Sequence, residues 1–476
     1  MFTYYIIFAI LLAIGSFFNR NILLRKIMLV AFLLLQTGIA VYGFLNLHKT
    51  EMEFFTYDSL GIIFLCVLTI LSYTTIYHSY IYLQHRKDNT RNQSLYFFAL
   101  ILLIISMTCV YLANHLGVLW VFIEATTLSV AVLIYHERTQ LSLEATWKYV
   151  FICSIGITFA FVGIIFLSKG LQGSGSSSLI LADIPAHLKN ANVFWLKLAF
   201  IFMLVGFSTK MGLFPMHTIA VDAHTVAPPP ISAFISTTLM NVGFISIFRT
   251  YSLMAGTSIQ PWMNSILLWC GLLSIFVSVV YILKVNHLKR MFAYSSLEHM
   301  GLAAIGIATG GIGYFAAIFH MVLHSFVKAS VFYQIDQIHR VFHTYILSKT
   351  GNYFSKNITG AIVMLILLIS ITAMPPSGLF VSEFLIFRSM FEAHQIMALL
   401  FILVLFTLVM WALGKNILKM LFVPSSHPIE TKEPLKIRPI ESVSQFVLLA
   451  GAIYLGLNPP AQLVNLINES IMLLPK

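Results

Sequence analysis

The chain has 476 residues, of which 59% are hydrophobic and only 9% are charged. Soluble domains carry about 25% charged residues, so this composition excludes a soluble globule and indicates a protein whose solvent is lipid. The formal net charge is +11, but the basic residues lie mostly in short connections between apolar runs. They therefore indicate membrane orientation, and nucleic acid is not predicted as a partner.

Apolar runs bounded by charged residues, proline or glycine predict an all-α polytopic membrane protein of about fourteen transmembrane helices. The predicted spans are 2–18, 27–46, 58–83, 95–112, 115–135, 146–168, 194–217, 229–254, 262–284, 290–309, 313–335, 358–390, 395–422 and 441–458. Basic residues concentrate in the odd-numbered connections, which predicts that these connections face the cytoplasm. Both termini are then predicted on the non-cytoplasmic side.

Two of the spans are interrupted by glycine and proline beside an ionisable residue. Span seven contains TKMGLFP at 209–215, and span twelve contains MPPSGLF at 374–380, followed by Glu383. The two breaks lie five spans apart, and an odd offset inverts the second copy in the membrane. Paired broken helices in inverted repeats are typical of a transport site.

Glu124 and Lys210 lie deep inside apolar runs, where a charge costs at least ~2.5–3.5 kcal/mol. Glu124 is mid-span, too far from either end to reach the interface, and Lys210 stands at the break of span seven. The alternatives to a function are a residue that snorkels to the interface and a structural ion pair. We favour a proton relay, in which a desolvated lysine exchanges its proton and Glu124 holds the lysine charged.

Span eleven carries His320, His324 and Lys328 at intervals of four residues, which places them in one polar stripe on a helix. Imidazoles suit proton transfer because they titrate near neutrality. We favour a hydrogen-bonded proton wire that ends at Glu383, and structural packing is the alternative. No third ligand is evident beside the two histidines, so that a metal site is not predicted.

Further polar residues are candidates for gating or proton access: Lys148, His217, Asp222, His224, Glu298 and His299. For those in the connection from His217 to Pro230, capping and turn formation are an equal alternative. Lys148 is also interpreted as a boundary charge of span six. The roles of Glu298 and His299, inside span ten, are left open.

No cofactor is predicted in this chain. The four cysteines, Cys66, Cys109, Cys153 and Cys270, are isolated in apolar runs and form no CxxC pair, which argues against iron–sulfur and structural zinc sites. Nucleotide-binding glycine motifs are also missing from the sequence.

Four segments together carry a resemblance to a known family: FSTKMGLFPMHTIAVDAHTVAPPPISA, HLKRMFAYSSLEHMG, IFHMVLHSFVKASVFY and PSGLFVSEF. They resemble the antiporter-like subunits of respiratory complex I, Mrp sodium/proton antiporters and membrane-bound hydrogenases. The stretches WVFIEATTLSVAVLIYHERTQLSLEATWKY and SSLEHMG are most similar to the hydrogenase-4 component F branch.

The resemblance implies two inverted five-helix repeats, formed by spans 4–8 and 9–13 with broken helices 7 and 12. The implied regions are three N-terminal helices in 1–94, a first repeat in 95–254, a second repeat in 262–422, and a C-terminal helix in 441–476.

The resemblance also assigns residues. Glu124 and Lys210 match the family's helix-five glutamate and helix-seven lysine, while Lys328 matches the central lysine of helix eleven. Glu383 matches a terminal carboxylate, and His224 matches the broken-helix histidine. Many relatives carry a lysine in helix eight where this chain has Asn241. An amide cannot carry a proton as charge, so that water bound by Asn241 is expected to replace it.

These observations predict a proton-translocating subunit of a redox-driven complex in a bacterial inner membrane, of hydrogenase-4, formate hydrogenlyase or NADH dehydrogenase type. The expected path runs from the cytoplasm through Lys210, Asn241-bound water, His320, His324 and Lys328 to Glu383. Membrane and soluble partner subunits would supply the electron chemistry. The alternatives are a sodium/proton antiporter, a membrane partner in inorganic-carbon uptake, and a structural subunit that has lost transport.

Overall fold

The computed structural model describes residues 1–86, 89–172, 178–188, 191–425 and 437–475. The helices and strands in these ranges are, in chain order, α1 (Phe2–Phe18), α2 (Ile22–Leu45), β1 (Thr50–Glu51), β2 (Phe55–Thr56), α3 (Ser59–Arg86), α4 (Thr90–Leu112), α5 (Leu116–Ile134), α6 (Gln140–Gln172), α7 (Ile184–His187), α8 (Val193–Met211), α9 (Thr218–Val226), α10 (Pro229–Phe234), α11 (Met240–Met254), α12 (Gln260–Ile282), α13 (Leu288–Thr309), α14 (Ile312–Phe342), α15 (Tyr353–Lys356), α16 (Ile358–Ile371), α17 (Gly378–Glu392), α18 (Ile396–Phe422), α19 (Val443–Leu457) and α20 (Ala461–Ile471). A π-helical turn, Ile235–Leu239, joins α10 to α11.

Among the described residues, eleven helices are long and apolar enough to cross a membrane. This confirms the predicted all-α polytopic fold. Three predicted spans fall outside those eleven, because α1 and α16 are apolar but shorter and α13 is less apolar. Every predicted span nevertheless coincides with a helix or with a pair of helices.

The chain forms two compact units. Unit 1 comprises Met1–Pro228, Thr238–Ser265 and Asn465–Lys476, and unit 2 comprises Pro229–Thr237 and Ile266–Val464. The boundaries of the inverted repeats stay a prediction.

Both predicted helix breaks are present. Helix α8 ends at Met211, where Gly212 adopts a left-handed conformation with φ of 78°, which is the usual way for a glycine to end a helix. Helix α16 ends at Ile371, and the residues 372–377, which include two prolines, separate it from α17.

Three local features differ from the sequence-based expectation. The connection from His217 to Pro230 is largely helical, since α9 fills it and ends just before a run of three prolines that cannot continue a helix. A two-stranded hairpin, β1–β2, and the C-terminal helix α20 were not predicted. The part of α20 from Asn465 onwards belongs to unit 1, where Glu469 accepts a hydrogen bond from Ser59 and pairs with His48.

Small residues allow close helix packing in unit 1. A Cβ atom added to Gly206 of α8 would lie 2.6 Å from the carbonyl oxygen of Gly156 on α6. One added to Gly243 of α11 would lie 2.2 Å from the backbone nitrogen of Met211. Such approaches are typical of membrane helices, and they fix the last turn of α8, which carries Lys210.

In unit 2, α14 is buried along nearly its whole length. Near its C-terminal end, the Arg340 guanidinium lies 3.2 Å from an oxygen of Asp336 and 2.5 Å from an oxygen of Glu441. All three side chains are buried. This ion triplet ties α14 to the segment that precedes α19.

Replacing Arg340 with methionine should lower the free energy of unfolding by about 3–5 kcal/mol, because it removes the cation opposite two buried carboxylates. Thermal unfolding in detergent would measure the loss. The matched control is Arg388→Met, since Arg388 pairs with Glu392 on an exposed face, where such a pair contributes less than about 1 kcal/mol. Equal losses in both variants would contradict the structural role of the triplet.

Candidate functional site

In unit 1, Lys210 lies on the last turn of α8 with only 3% of its surface exposed. Its ammonium donates hydrogen bonds to the hydroxyl of Thr127 at 2.7 Å and to that of Tyr149 at 3.3 Å. The same ammonium lies 5.2 Å from the centre of the Tyr149 ring. The buried charge is therefore stabilised by two hydroxyls and one aromatic face.

Glu124 lies in the middle of α5 and is linked to Lys210 indirectly. One carboxylate oxygen accepts from Ser154 at 2.6 Å, and the other accepts from Thr127 at 3.3 Å. The Thr127 hydroxyl thus accepts from the lysine and donates towards the glutamate. A hydroxyl that accepts one hydrogen bond and donates another can relay a proton.

In unit 2, the polar stripe of α14 is completely buried, with His320, His324 and Lys328 at 0% exposure. The Lys328 ammonium donates to Ser295 of α13 at 2.8 Å and to the carbonyl oxygen of Phe292 at 3.4 Å. Glu298, one turn after Ser295, is also buried and attracts the lysine charge. Unit 2 therefore also combines a buried lysine, a hydroxyl and a carboxylate.

The structure adds His299 of α13 to the stripe. Its ring centre lies 5.2 Å from that of His320 and 5.2 Å from that of His324. Its Nδ1 atom lies 3.6 Å from a carboxylate oxygen of Glu383 on α17. Three imidazoles and one carboxylate are thus buried together.

The hydrogen bonds of Ser382 determine which nitrogen of His320 carries the proton. Ser382 donates its hydroxyl proton to the carbonyl oxygen of Leu379 at 3.0 Å. Its oxygen lies 2.9 Å from Nδ1 of His320 and accepts from that nitrogen when the hydroxyl proton is donated to Leu379. In the neutral ring, Nε2 of His320 then bears the lone pair, turned away from Ser382.

Three of these side chains lie close enough to hold a metal ion. One nitrogen each from His299 and His320 and one oxygen of Glu383 lie within 4.8 Å of one another. The sequence pairs His320 with His324 and supplies no third ligand, whereas the tertiary structure groups His320 with residues of two other helices.

The remaining predicted site residues differ in how far they are buried. His224 of α9 and Asn241 of α11 are fully buried, and His217 is 8% exposed, while Asp222 is half-buried. Lys148 pairs with Glu144 at 2.6 Å, and both side chains are more than half exposed, which agrees with the alternative of a boundary charge. The roles of these residues stay predictions.

Sequence reasoning did not identify the hydroxyls that contact the buried charges. They are Thr127, Tyr149, Ser154, Ser295 and Ser382. Two of them, Thr127 and Ser295, could have been found from the sequence, because each stands three residues from a carboxylate inside an apolar run, in EATT and SSLE. Residues three apart on a helix share one face.

Comparison with known proteins gives a consistent result. The family model described as "NADH:quinone oxidoreductase/Mrp antiporter, TM" matches residues 113–409. A hydrogenase-4 component F homolog from Methylacidiphilum infernorum is 30% identical over 430 residues, which cover 89% of each chain. These matches confirm the resemblance inferred from the motifs.

Two solved structures share the fold. A chain of the membrane-bound sulfane sulfur reductase, an archaeal respiratory membrane complex, aligns with a TM-score of 0.84 at 20% identity, covering 98% of this chain and 96% of that chain. A chain of respiratory complex I from Thermus thermophilus aligns with a TM-score of 0.79 at 20% identity, covering 98% and 99%.

Proposed function

This chain belongs to the NADH:quinone oxidoreductase/Mrp antiporter family of transmembrane proteins, and we propose that it moves protons across the bilayer as a subunit of a redox-driven complex. It is an antiporter-like membrane subunit related to hydrogenase-4 component F. The observation that carries the proposal is a buried lysine hydrogen-bonded to a hydroxyl, with a carboxylate three residues from that hydroxyl, in each unit.

In unit 1, Lys210 is the proton carrier. The protonated amine is stabilised by Thr127 and Tyr149 and by the charge of Glu124 beyond Thr127. A change that separates Glu124 from this group removes the attraction and favours release of the proton. Movement of Glu124 would thus act as a switch, because it changes the charge near Lys210 and with it the tendency of the lysine to release its proton.

In unit 2, the protons pass among Lys328 and the histidines. Nε2 of His320 is the acceptor, because Ser382 occupies the other ring nitrogen. His299 lies beside both His320 and His324 and extends the row to Glu383. The tautomer held by Ser382 therefore gives the row a defined acceptor.

The partners and the location follow from the family and the charge pattern. Membrane partner subunits are expected because the structural relatives belong to multisubunit respiratory complexes. We propose that soluble subunits carry the redox centres, that the membrane is the bacterial inner membrane, and that both termini lie on the non-cytoplasmic side.

The test uses inverted membrane vesicles from cells that contain the intact complex. Hydrogen, formate and NADH are supplied in turn as electron donors, and proton uptake and electron transfer are recorded together. We expect proton uptake that accompanies electron transfer and continues when choline replaces sodium. Electron transfer by the complex without proton uptake would overturn the proposal.

Sodium dependence of the same uptake would favour the antiporter alternative. Sodium prefers several oxygen ligands, whereas the polar row of unit 2 offers mainly nitrogen, from His299, His320, His324 and Lys328. We therefore expect the rate in choline to equal the rate in sodium.

Replacing Thr127 with valine should slow proton uptake about tenfold or more, because Lys210 loses its nearest acceptor, and a hydrogen bond to a charged group contributes about 1.5–3 kcal/mol. The matched control is Thr126→Val, since the buried Thr126 hydroxyl bonds only to the backbone oxygen of Ile123 in the contacts described. Thr127→Ser should restore the rate. Equal rates in the two valine variants would contradict the relay.

A further inference from the structure

We propose that His299, His320 and Glu383 form a binding site for a divalent transition-metal cation, and that the bound cation arrests proton transfer in unit 2. The second half of this proposal rests on the proposed function, whereas the first half is independent of it. The three side chains come from α13, α14 and α17, and each is at most 5% exposed.

The ligand set and its spacing fit zinc. Two imidazoles and one carboxylate form the protein ligands of many zinc sites, with a fourth position left for water. In a tetrahedral site with bonds of about 2.1 Å, the ligand atoms lie about 3.4 Å apart. Nδ1 of His299 and an oxygen of Glu383 are already 3.6 Å apart, and the third ligand atom completes a group within 4.8 Å.

Ser382 prepares His320 as a ligand. Metal-bound histidines usually hydrogen-bond through the nitrogen that does not bind the metal, which fixes the tautomer and the ring orientation. Nδ1 of His320 donates to Ser382, whose own proton is directed to Leu379. Nε2 therefore offers a lone pair from a ring whose orientation is already fixed.

Buried polar groups at this point also favour a cation. Within the described ranges, Nε2 of His320 and both ring nitrogens of His299 make no hydrogen bond, which is costly for buried atoms. Glu383 adds a buried carboxylate 3.6 Å from Nδ1 of His299. A divalent cation would bind the nitrogens and the carboxylate together, and imidazole ligands select zinc over magnesium or calcium.

The consequence for transport is direct. A cation bound to His299 and His320 occupies the lone pairs that accept protons in the proposed row. The histidines can then neither gain nor pass on a proton, so that transport stops while the metal stays bound.

Zinc binding is measured on the full-length chain, purified with a tag that contains no histidine, treated with chelator and then dialysed against zinc or magnesium. We expect about one equivalent of retained zinc and no retained magnesium. His299→Ala and Glu383→Gln should lose the zinc, and Ser382→Ala should weaken its binding about 10-fold. X-ray absorption at the zinc edge should show nitrogen and oxygen ligands with imidazole scattering.

The matched control is His78→Gln, because His78 is also buried but lies on α3 of unit 1. It should retain the zinc, and unfolding temperatures are compared to exclude variants that fail to fold. Retention of zinc by folded His299→Ala and Glu383→Gln would overturn the site. Loss of zinc from folded His78→Gln, with zinc retained by the other variants, would overturn it as well.

The transport arm uses the vesicles that contain the intact complex. Zinc should inhibit proton uptake, and Ser382→Ala should raise the half-inhibiting concentration about 10-fold. Zinc bound at the site without inhibition would overturn the arrest of transport. If the complex takes up no protons in the absence of zinc, the proposed function fails, and the binding measurements still decide whether the site exists.

Discussion

Replacement of Lys210 with alanine should abolish proton uptake by the complex while the complex still assembles. The ammonium is the buried group that Thr127 and Tyr149 solvate and that Glu124 stabilises through Thr127. Alanine removes the exchangeable proton and leaves no other amine at this point of α8. Proton uptake in inverted vesicles, with assembly followed by native gel electrophoresis, measures the effect.

The control for this variant lies on the same helix. Lys197 is near the start of α8, and its ammonium lies 5.2 Å from the centre of the Trp262 ring. Lys197→Ala removes an amine from α8 without touching the buried group and should retain full uptake. Full uptake by Lys210→Ala would exclude Lys210 as the proton carrier.

Replacement of Lys328 should have an effect of the same size in unit 2. This amine is fully buried and bonds to Ser295 and to the carbonyl oxygen of Phe292. Lys328→Ala is expected to reduce proton uptake to background. Lys415→Ala is the control, since Lys415 is exposed on α18 and lies over Trp411.

Arginine at position 328 separates two roles of the lysine. A guanidinium keeps the positive charge and the hydrogen-bond donors, but it does not release its proton in proteins. If Lys328 must give up its proton, Lys328→Arg should be as inactive as Lys328→Ala. Activity restored by arginine would show that only the charge is needed.

The sequence predicted the architecture because lipid imposes simple constraints on a chain. Apolar runs of helical length must form helices, since no other open structure satisfies the backbone in hydrocarbon. The structure confirms these helices and both breaks. A charge in such a run is costly wherever the helix packs. Glu124, Lys210, Lys328 and Glu383 could therefore be identified as candidate functional residues from the sequence.

Local sequence patterns did not predict two helices that depend on packing against other parts of the chain. Helix α9 was hidden because its polar residues and flanking prolines suggested a connection, and α20 was hidden because it is short and amphipathic. Each of these helices is stabilised by packing of its apolar side, which its mean composition does not reveal.

The sequence alone identified Lys210, Lys328 and Glu383 as charges inside apolar runs, and the structure buries all three. The stripe of His320, His324 and Lys328 follows from spacing alone, because helical geometry brings every fourth residue to one face. The contacts of these charges became known from the packing of the helices, since Lys210 bonds to Thr127 and Lys328 bonds to Ser295 on other helices. The grouping of His299, His320 and Glu383 likewise joins three helices, and no spacing along one chain segment encodes how separate helices pack.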